Sequence, residues 1–186
     1  MKFLFFLFLT ANLFSRSYVY TGHYPVLPQP YYFAGGIEMD LGSYGNLYIA
    51  NNKNKISVFT KDGKFLKLYS LLDEYGNKID IDSFAVDAYS NIYATVFTGA
   101  GYDVLKYDKD GKFIKRFYWV PERTDIDTDP WGNVYIVYNE ASYTNPICEV
   151  RKLDSEGNLL YEFSILKTVP GPKEIKVKGD KIYLIN

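Results

Sequence analysis

From residue 34 onward the chain is built of short runs in which apolar and polar residues alternate, each run ending at a Gly, Asn or Asp cluster. Ile56-Ser57-Val58-Phe59 and Phe65-Leu66-Lys67-Leu68-Tyr69 show the period-two pattern of strands with one buried face. Asp62-Gly63 lies between them, and Asp-Gly between two alternating runs predicts a two-residue hairpin in which the glycine takes positive φ. Gly63 and Gly111 are therefore expected in left-handed conformations. No stretch long enough for a helix keeps a 3.6-residue period without a Gly, Pro or Asn break.

The pattern repeats. Gly45-Asn46-Leu47-Tyr48, Ser90-Asn91-Ile92-Tyr93, Gly132-Asn133-Val134-Tyr135 and Asp180-Lys181-Ile182-Tyr183 are variants of one phrase, with tyrosines 45, 42 and 48 residues apart. Each follows a short apolar segment, closed in the first three units by Asp40, Asp87 and Asp127. A second phrase, Lys61-Asp62-Gly63-Lys64-Phe65, returns at Lys109–Phe113 and Ser155–Leu159 with its glycines 48 and 46 apart. Four short strands every 42 to 48 residues predict an all-β β-propeller of four-stranded antiparallel blades. The units fall at 34–71, 82–119, 123–166 and 173–186, which is three full blades plus half of a fourth in an incomplete or small ring. Lys181 to Ile185 then has no following strand, which predicts self-association through open blade edges unless Tyr18 to Thr21 folds back as the missing strand.

Gly36-Ile37-Glu38-Met39-Asp40, Gly45-Asn46-Leu47-Tyr48-Ile49-Ala50-Asn51, Lys55-Ile56-Ser57-Val58-Phe59 and Asp62-Gly63-Lys64-Phe65-Leu66 together resemble an NHL repeat. The second and third units resemble it less fully. The Trp-Asp and Gly-His marks of WD-type blades are missing, and Gly35-Gly36 does not recur as a kelch repeat requires. The resemblance implies a propeller, usually of six blades, used mostly as a binding platform and sometimes as an enzyme scaffold.

Outside the repeat, Lys2 followed by the apolar run from Phe3 to Leu9 reads as a secretory signal, with Ser15-Arg16-Ser17 as the cleavage site. Residues 1–17 are expected to be removed, placing the protein outside the cell or in the periplasm and leaving no membrane span. Residues 18–33 carry three prolines in six positions and read as an extended Pro/Tyr-rich arm. The remaining charge is 19 minus 22, or −3, so no nucleic-acid partner is implied. One Cys and one His exclude an internal disulfide, Cys-rich zinc sites and most His-based catalysis.

The distance from repeat tyrosine to hairpin glycine grows from 15 to 18 to 22 residues, and the growth falls in the loops after the second strand of each unit. Insertions on one face of a repeat array point to a binding face. Tyr102, Glu122, Arg123 and Tyr143 are the binding candidates there, because Tyr and Arg dominate contact energetics. Glu38 and Asp125 share one position on the innermost strand and could hold Ca²⁺, with Ala85 at the matching place in unit two. No other cofactor is implied. Asp40, Asp87 and Asp127 are expected to tie turns, Cys148 to fill space, and Trp119 and Trp131 to pack. Two functions follow: a non-catalytic scaffold binding a protein, peptide or glycan, or a fragment of a metal-dependent lactonase or hydrolase of the related six-bladed type.

Overall fold

The computed structural model describes residues 37–51, 54–140, 147–166, 172 and 174–185. Residues 1–17, expected to be a leader, the expected arm with Tyr18 to Thr21, and Tyr143 lie outside the described residues. Three four-stranded antiparallel sheets and one two-stranded sheet follow one another along the chain. The first comprises β1 (Ile37–Leu41), β2 (Leu47–Asn51), β3 (Lys55–Phe59) and β4 (Phe65–Ser70). The second comprises β5 (Ile81–Val86), β6 (Ile92–Phe97), β7 (Tyr102–Tyr107) and β8 (Phe113–Val120). The third comprises β9 (Thr124–Thr128), β10 (Val134–Glu140), β11 (Ile147–Leu153) and β12 (Leu159–Leu166). The last pairs β13 (Glu174–Lys178) with β14 (Lys181–Ile185). Within each sheet the strand order is the chain order, a meander with its first strand on one edge.

Sheets pack face to face through their apolar sides. One core lies between the first and second sheets and contains Tyr48, Ile56, Leu71, Phe84, Ile92 and Tyr107. A second, with Tyr93, Phe117, Ile126 and Ile136, joins the second sheet to the third. A third joins Tyr135, Val137, Cys148 and Val150 to Ile175 of β13. Cys148 is fully buried there, as expected of a filler. Middle strands are covered on both faces, so β6 reads Ile-Tyr-Ala-Thr with all four buried. Outer strands are covered on one, and in β4 only Tyr69 is buried. Each fully buried Ile or Leu contributes about 1.5–3 kcal/mol, which makes these inter-sheet layers the main cohesive force.

Gly63 and Gly111 have φ of 84° and 79°, as the hairpin signal required. The turns are longer than two residues. Thr60 N–H donates to Lys64 C=O (2.8 Å) and Gly63 N–H to Thr60 C=O (2.9 Å), leaving three loop residues, with a register shift at Val58/Phe59. Gly63 therefore sits in the left-handed position after a type I turn, which serves the strand twist as well as a primed turn does. The same arrangement recurs at Asp108–Lys112 and Asp154–Asn158.

An aromatic residue six positions after these glycines bridges to the next sheet. Tyr69 lies so close to Gly111 that a Cβ there would stand 2.5 Å from its ring, and its hydroxyl donates to Lys109 C=O (2.7 Å). Phe117 occupies the same place against Gly157. Each outer strand thus docks on the following sheet's outer turn.

Candidate functional site

The first strands, β1, β5, β9 and β13, run side by side along the inner edge, each against its successor. Pairing with the second strands fixes their common register. Asp40, Ala85, Asp127 and Lys176 lie opposite Tyr48, Tyr93, Tyr135 and Tyr183. Two residues earlier, Glu38, Ser83, Asp125 and Glu174 form a second tier. The residue equivalent to Glu38 and Asp125 is therefore Ser83, and Ala85 belongs to the tier of Asp40. Asp87 is displaced as well. It caps the turn Asp87–Asn91, accepting from Tyr89 N–H and Asn91 N–H at 2.8 Å, as Asp129 does for Trp131 and Asn133. Asp40 and Asp127 instead reach forward, accepting from Val86 N–H (2.7 Å) and Val177 N–H (2.6 Å) of the next sheet.

Glu38 and Asp125 are brought together through Ser83, whose Oγ is 2.7 Å from Glu38 Oε1 and 2.5 Å from Asp125 Oδ1. Asp125 Oδ2 accepts from Ile175 N–H at 2.8 Å. A hydroxyl has one proton to donate, so both contacts are hydrogen bonds only when one carboxyl is protonated. Glu38 is that carboxyl. Burial, reinforced by the neighbouring Asp125 charge, lifts it from 4.5 to about 7 against the opposing bonds from Ser83 and Phe84 N–H. Burial likewise raises Asp127 to about 6 and pushes Asp40 up.

Lys176, half-buried on β13, faces these acids. Desolvation pulls its ammonium down, yet Asp127, Asp125, Asp40 and Glu38 outweigh that and hold it above its ordinary value. As a Ca²⁺ site the pair fits poorly. Ser83 and Ile175 take three of its four carboxylate oxygens, the fourth, Glu38 Oε2, is buried without a hydrogen-bond partner among the described residues, and Lys176 supplies positive charge. Among the described residues no group of three or more His, Cys, Asp or Glu is arranged to hold a metal.

At the end of the sheets where β6 passes to β7, Phe97 and Tyr102 flank the loop with ring centroids 5.2 Å apart. Trp119 lies over Gly101 of that loop, its indole 2.8 Å from where a Cβ would stand, and is still 51% exposed. Arg123, exposed, reaches Asp82 at 3.1 Å. Tyr102 is raised by burial and then by the Asp82 charge, with Arg123 and Glu122 acting on the same hydroxyl. Three of the four binding candidates, Tyr102, Glu122 and Arg123, are therefore neighbours. The sequence missed Phe97 and Trp119 beside them. Trp119 and Trp131 are expected to pack, but both lie largely in solvent, because Trp119 stands near the end of an outer strand and Trp131 at the tip of a turn capped by Asp129.

Comparison with solved structures matches this arrangement of sheets. A gluconolactonase candidate aligns over 79% of this chain and 53% of its own, at 12% identity and a TM-score of 0.53. A chain of the nidogen/laminin complex aligns over 75% and 51%, at 15% identity and a TM-score of 0.50. The fold is that of a β-propeller. Its sheets are blades, as the repeat spacing predicts. A calcium-binding regucalcin from Agrobacterium tumefaciens aligns over 56% of this chain and 38% of its own, at 23% identity and a TM-score of 0.41. The chain spans about half the length of the two propellers above. No family model and no curated protein matches.

Proposed function

We propose that these blades act as a non-catalytic binding scaffold, and that a protein or peptide docks on the end carrying Phe97, Tyr102, Trp119, Glu122 and Arg123. The observation that carries this reading is the half-exposed Trp119 beside the Phe97–Tyr102 pair and the exposed Arg123. Trp, Tyr and Arg are the residues that concentrate binding energy in protein interfaces. The nidogen/laminin neighbour, a propeller solved in a complex of two proteins, supports the same use of the fold. We place the protein outside the cell or in the periplasm, on the strength of the Lys2–Leu9 leader pattern. Among the described residues no helix is long and apolar enough to cross a membrane.

The alternative, part of a lactonase-type hydrolase, has the inner acids in its favour. It is less well supported, because those acids are already bonded to Ser83, Ile175 and neighbouring N–H groups and face Lys176. A peptide selected from a displayed library against the chain separates the two. Arg123→Ala or Trp119→Ala should weaken it more than about tenfold, as removal of an interface anchor does. Lactone hydrolysis abolished by Glu38→Gln would instead establish the enzyme reading.

A further inference from the structure

One five-residue turn recurs seven times among the described residues: Gly42–Asn46, Thr60–Lys64, Asp73–Asn77, Asp87–Asn91, Asp108–Lys112, Asp129–Asn133 and Asp154–Asn158. In each, the first residue's N–H donates to the fifth residue's C=O, and the fourth residue's N–H donates to the first residue's C=O. The fourth residue always has positive φ, and it is glycine in every turn but Asp87–Asn91, where Ser90 has φ 67°. The third residue's side chain is exposed, and in five of the seven turns its N–H donates to the carboxylate of the first residue. The identity of the third residue follows its place. Turns joining first to second strands carry Tyr44, Tyr89 and Trp131, whereas turns joining third to fourth strands carry Asp62, Asp110 and Glu156.

Both kinds of turn leave the blades at the end opposite Tyr102 and Trp119. That face therefore has an inner arc of aromatic rings and an outer arc of acids. Tyr44, Tyr89 and Trp131 are 93%, 68% and 64% exposed, as is Tyr75 (75%) at the same turn position on the other end. The frames of Tyr89 and Trp131 are stiff, because Asp87 and Asp129 hold their main-chain N–H. Tyr89 leans across to the next blade, where a Cβ on Gly132 would stand 3.2 Å from its ring, bringing it beside Trp131. Tyr44 is kept at φ 64°, a conformation that Gly or Asn adopts more cheaply.

The chemistry of the rim says what these rings meet. Asp110 is paired with Lys109 at 3.1 Å and Glu156 with Lys115 at 3.0 Å, while Asp62 stands between Lys61 and Lys64. The rim is thus rich in hydrogen-bonding groups yet close to neutral, with no field to recruit an acidic or basic peptide. Upright aromatic faces, negative at their centres, suit the C–H faces of sugar rings, and the neutral polar rim suits their hydroxyls. We infer that the face bearing Tyr44, Tyr89 and Trp131 is a platform for an uncharged oligosaccharide, with rings stacked beneath successive sugars.

The test uses the full chain carrying Trp119→Phe, which leaves Trp131 as its single indole. Cellohexaose, maltohexaose and chitohexaose are titrated in turn while its fluorescence and its quenching by acrylamide are followed. At least one sugar should shift the emission and shield Trp131 from acrylamide. Tyr89→Ala should weaken that sugar about tenfold or more, as stacked rings do elsewhere, and Trp131→Ala should do the same by calorimetry. Trp131→Tyr should bind within a few-fold of the parent, and Arg123→Ala should bind like it. No response to any of the three sugars overturns the inference. So does binding that survives both alanine variants, or saturable binding to phosphatidylcholine vesicles without a sugar response. The acrylamide measurement needs no further substitution, so it stands even if a turn variant fails to fold.

Discussion

Ser83 Oγ stands 2.5 Å from Asp125 Oδ1 across the joint between the second and third blades, and the same oxygen stands 2.7 Å from Glu38 of the first. One hydroxyl thereby links three successive blades, and it can bond to both carboxyls only while one of them keeps a proton.

Stability should therefore fall as pH rises through neutrality. Glu38 titrates near 7 in the fold against 4.5 in the unfolded chain, so the folded state binds its proton more tightly. That contribution is complete below about pH 4.5, declines up to about 7 and is lost above, amounting to on the order of 3 kcal/mol. Asp127, raised from 3.8 to about 6, acts in the same direction over a lower window. The turn-capping Asp73, Asp108 and Asp154, held below their usual values, matter only at more acid pH. Denaturant midpoints should be higher at pH 5.5 than at pH 8, and Glu38→Gln should raise the pH 8 value and flatten the difference. A Glu38→Gln protein with the parent's pH dependence would remove the proton from the account.

Lys176→Met should destabilise the chain by about 2–3 kcal/mol at pH 8, because four inner acids lose the ammonium that faces them. The loss should shrink at pH 5, where Glu38 and Asp127 are largely protonated. An equal loss at both values would mean that Lys176 acts through its packing alone.

Two glycines with nearly the same φ separate backbone strain from contact between blades. Gly76 has φ 82° with nothing within 4 Å of a Cβ, whereas Gly111 has φ 79° with the Tyr69 ring 2.5 Å away. Gly76→Ala should cost about 1 kcal/mol, the left-handed penalty. Gly111→Ala should cost about 1–3 kcal/mol more through overpacking, and a Tyr69→Leu background should return most of that excess. Equal costs for the two glycines would show that the docking is slack.

The isolated 18–186 chain should self-associate through β14, which pairs only with β13 among the described residues and leaves Ile182 and Leu184 half-covered. Light scattering should report a dimer or larger species, and Leu184→Lys should shift it toward monomer. A parent protein that stays monomeric at every concentration tested would speak for a covered edge.

Most of the architecture was legible from periodicity, because the repeated Gly-Asn-x-Tyr and Asp-Gly phrases mark turns and turns set the strand ends. Register was harder. Asp40 and Asp127 stand six residues before Asn46 and Asn133, but Asp87 stands only four before Asn91, so the three aspartates were never equivalent. Counting back from the asparagine, instead of matching aspartates, would have placed Ser83 beside Glu38. Lys176 could not have been found that way, since its role depends on charges from two other strands. Likewise Trp119 and Trp131 looked like packing residues because composition does not say which end of a strand or which turn position a tryptophan holds.

The seven recurring turns also bear on how such a chain can change over time. Each frame is closed by main-chain bonds and by its first and fourth residues, so the third residue is released from the demands of folding. Tyr, Trp, Asp and Glu already occupy that place in different blades within one hydrogen-bond pattern. A lineage can therefore rewrite the chemistry of this face one codon at a time while the blades beneath stay as they are, and a library randomised at Tyr89 and Trp131 inherits the same licence.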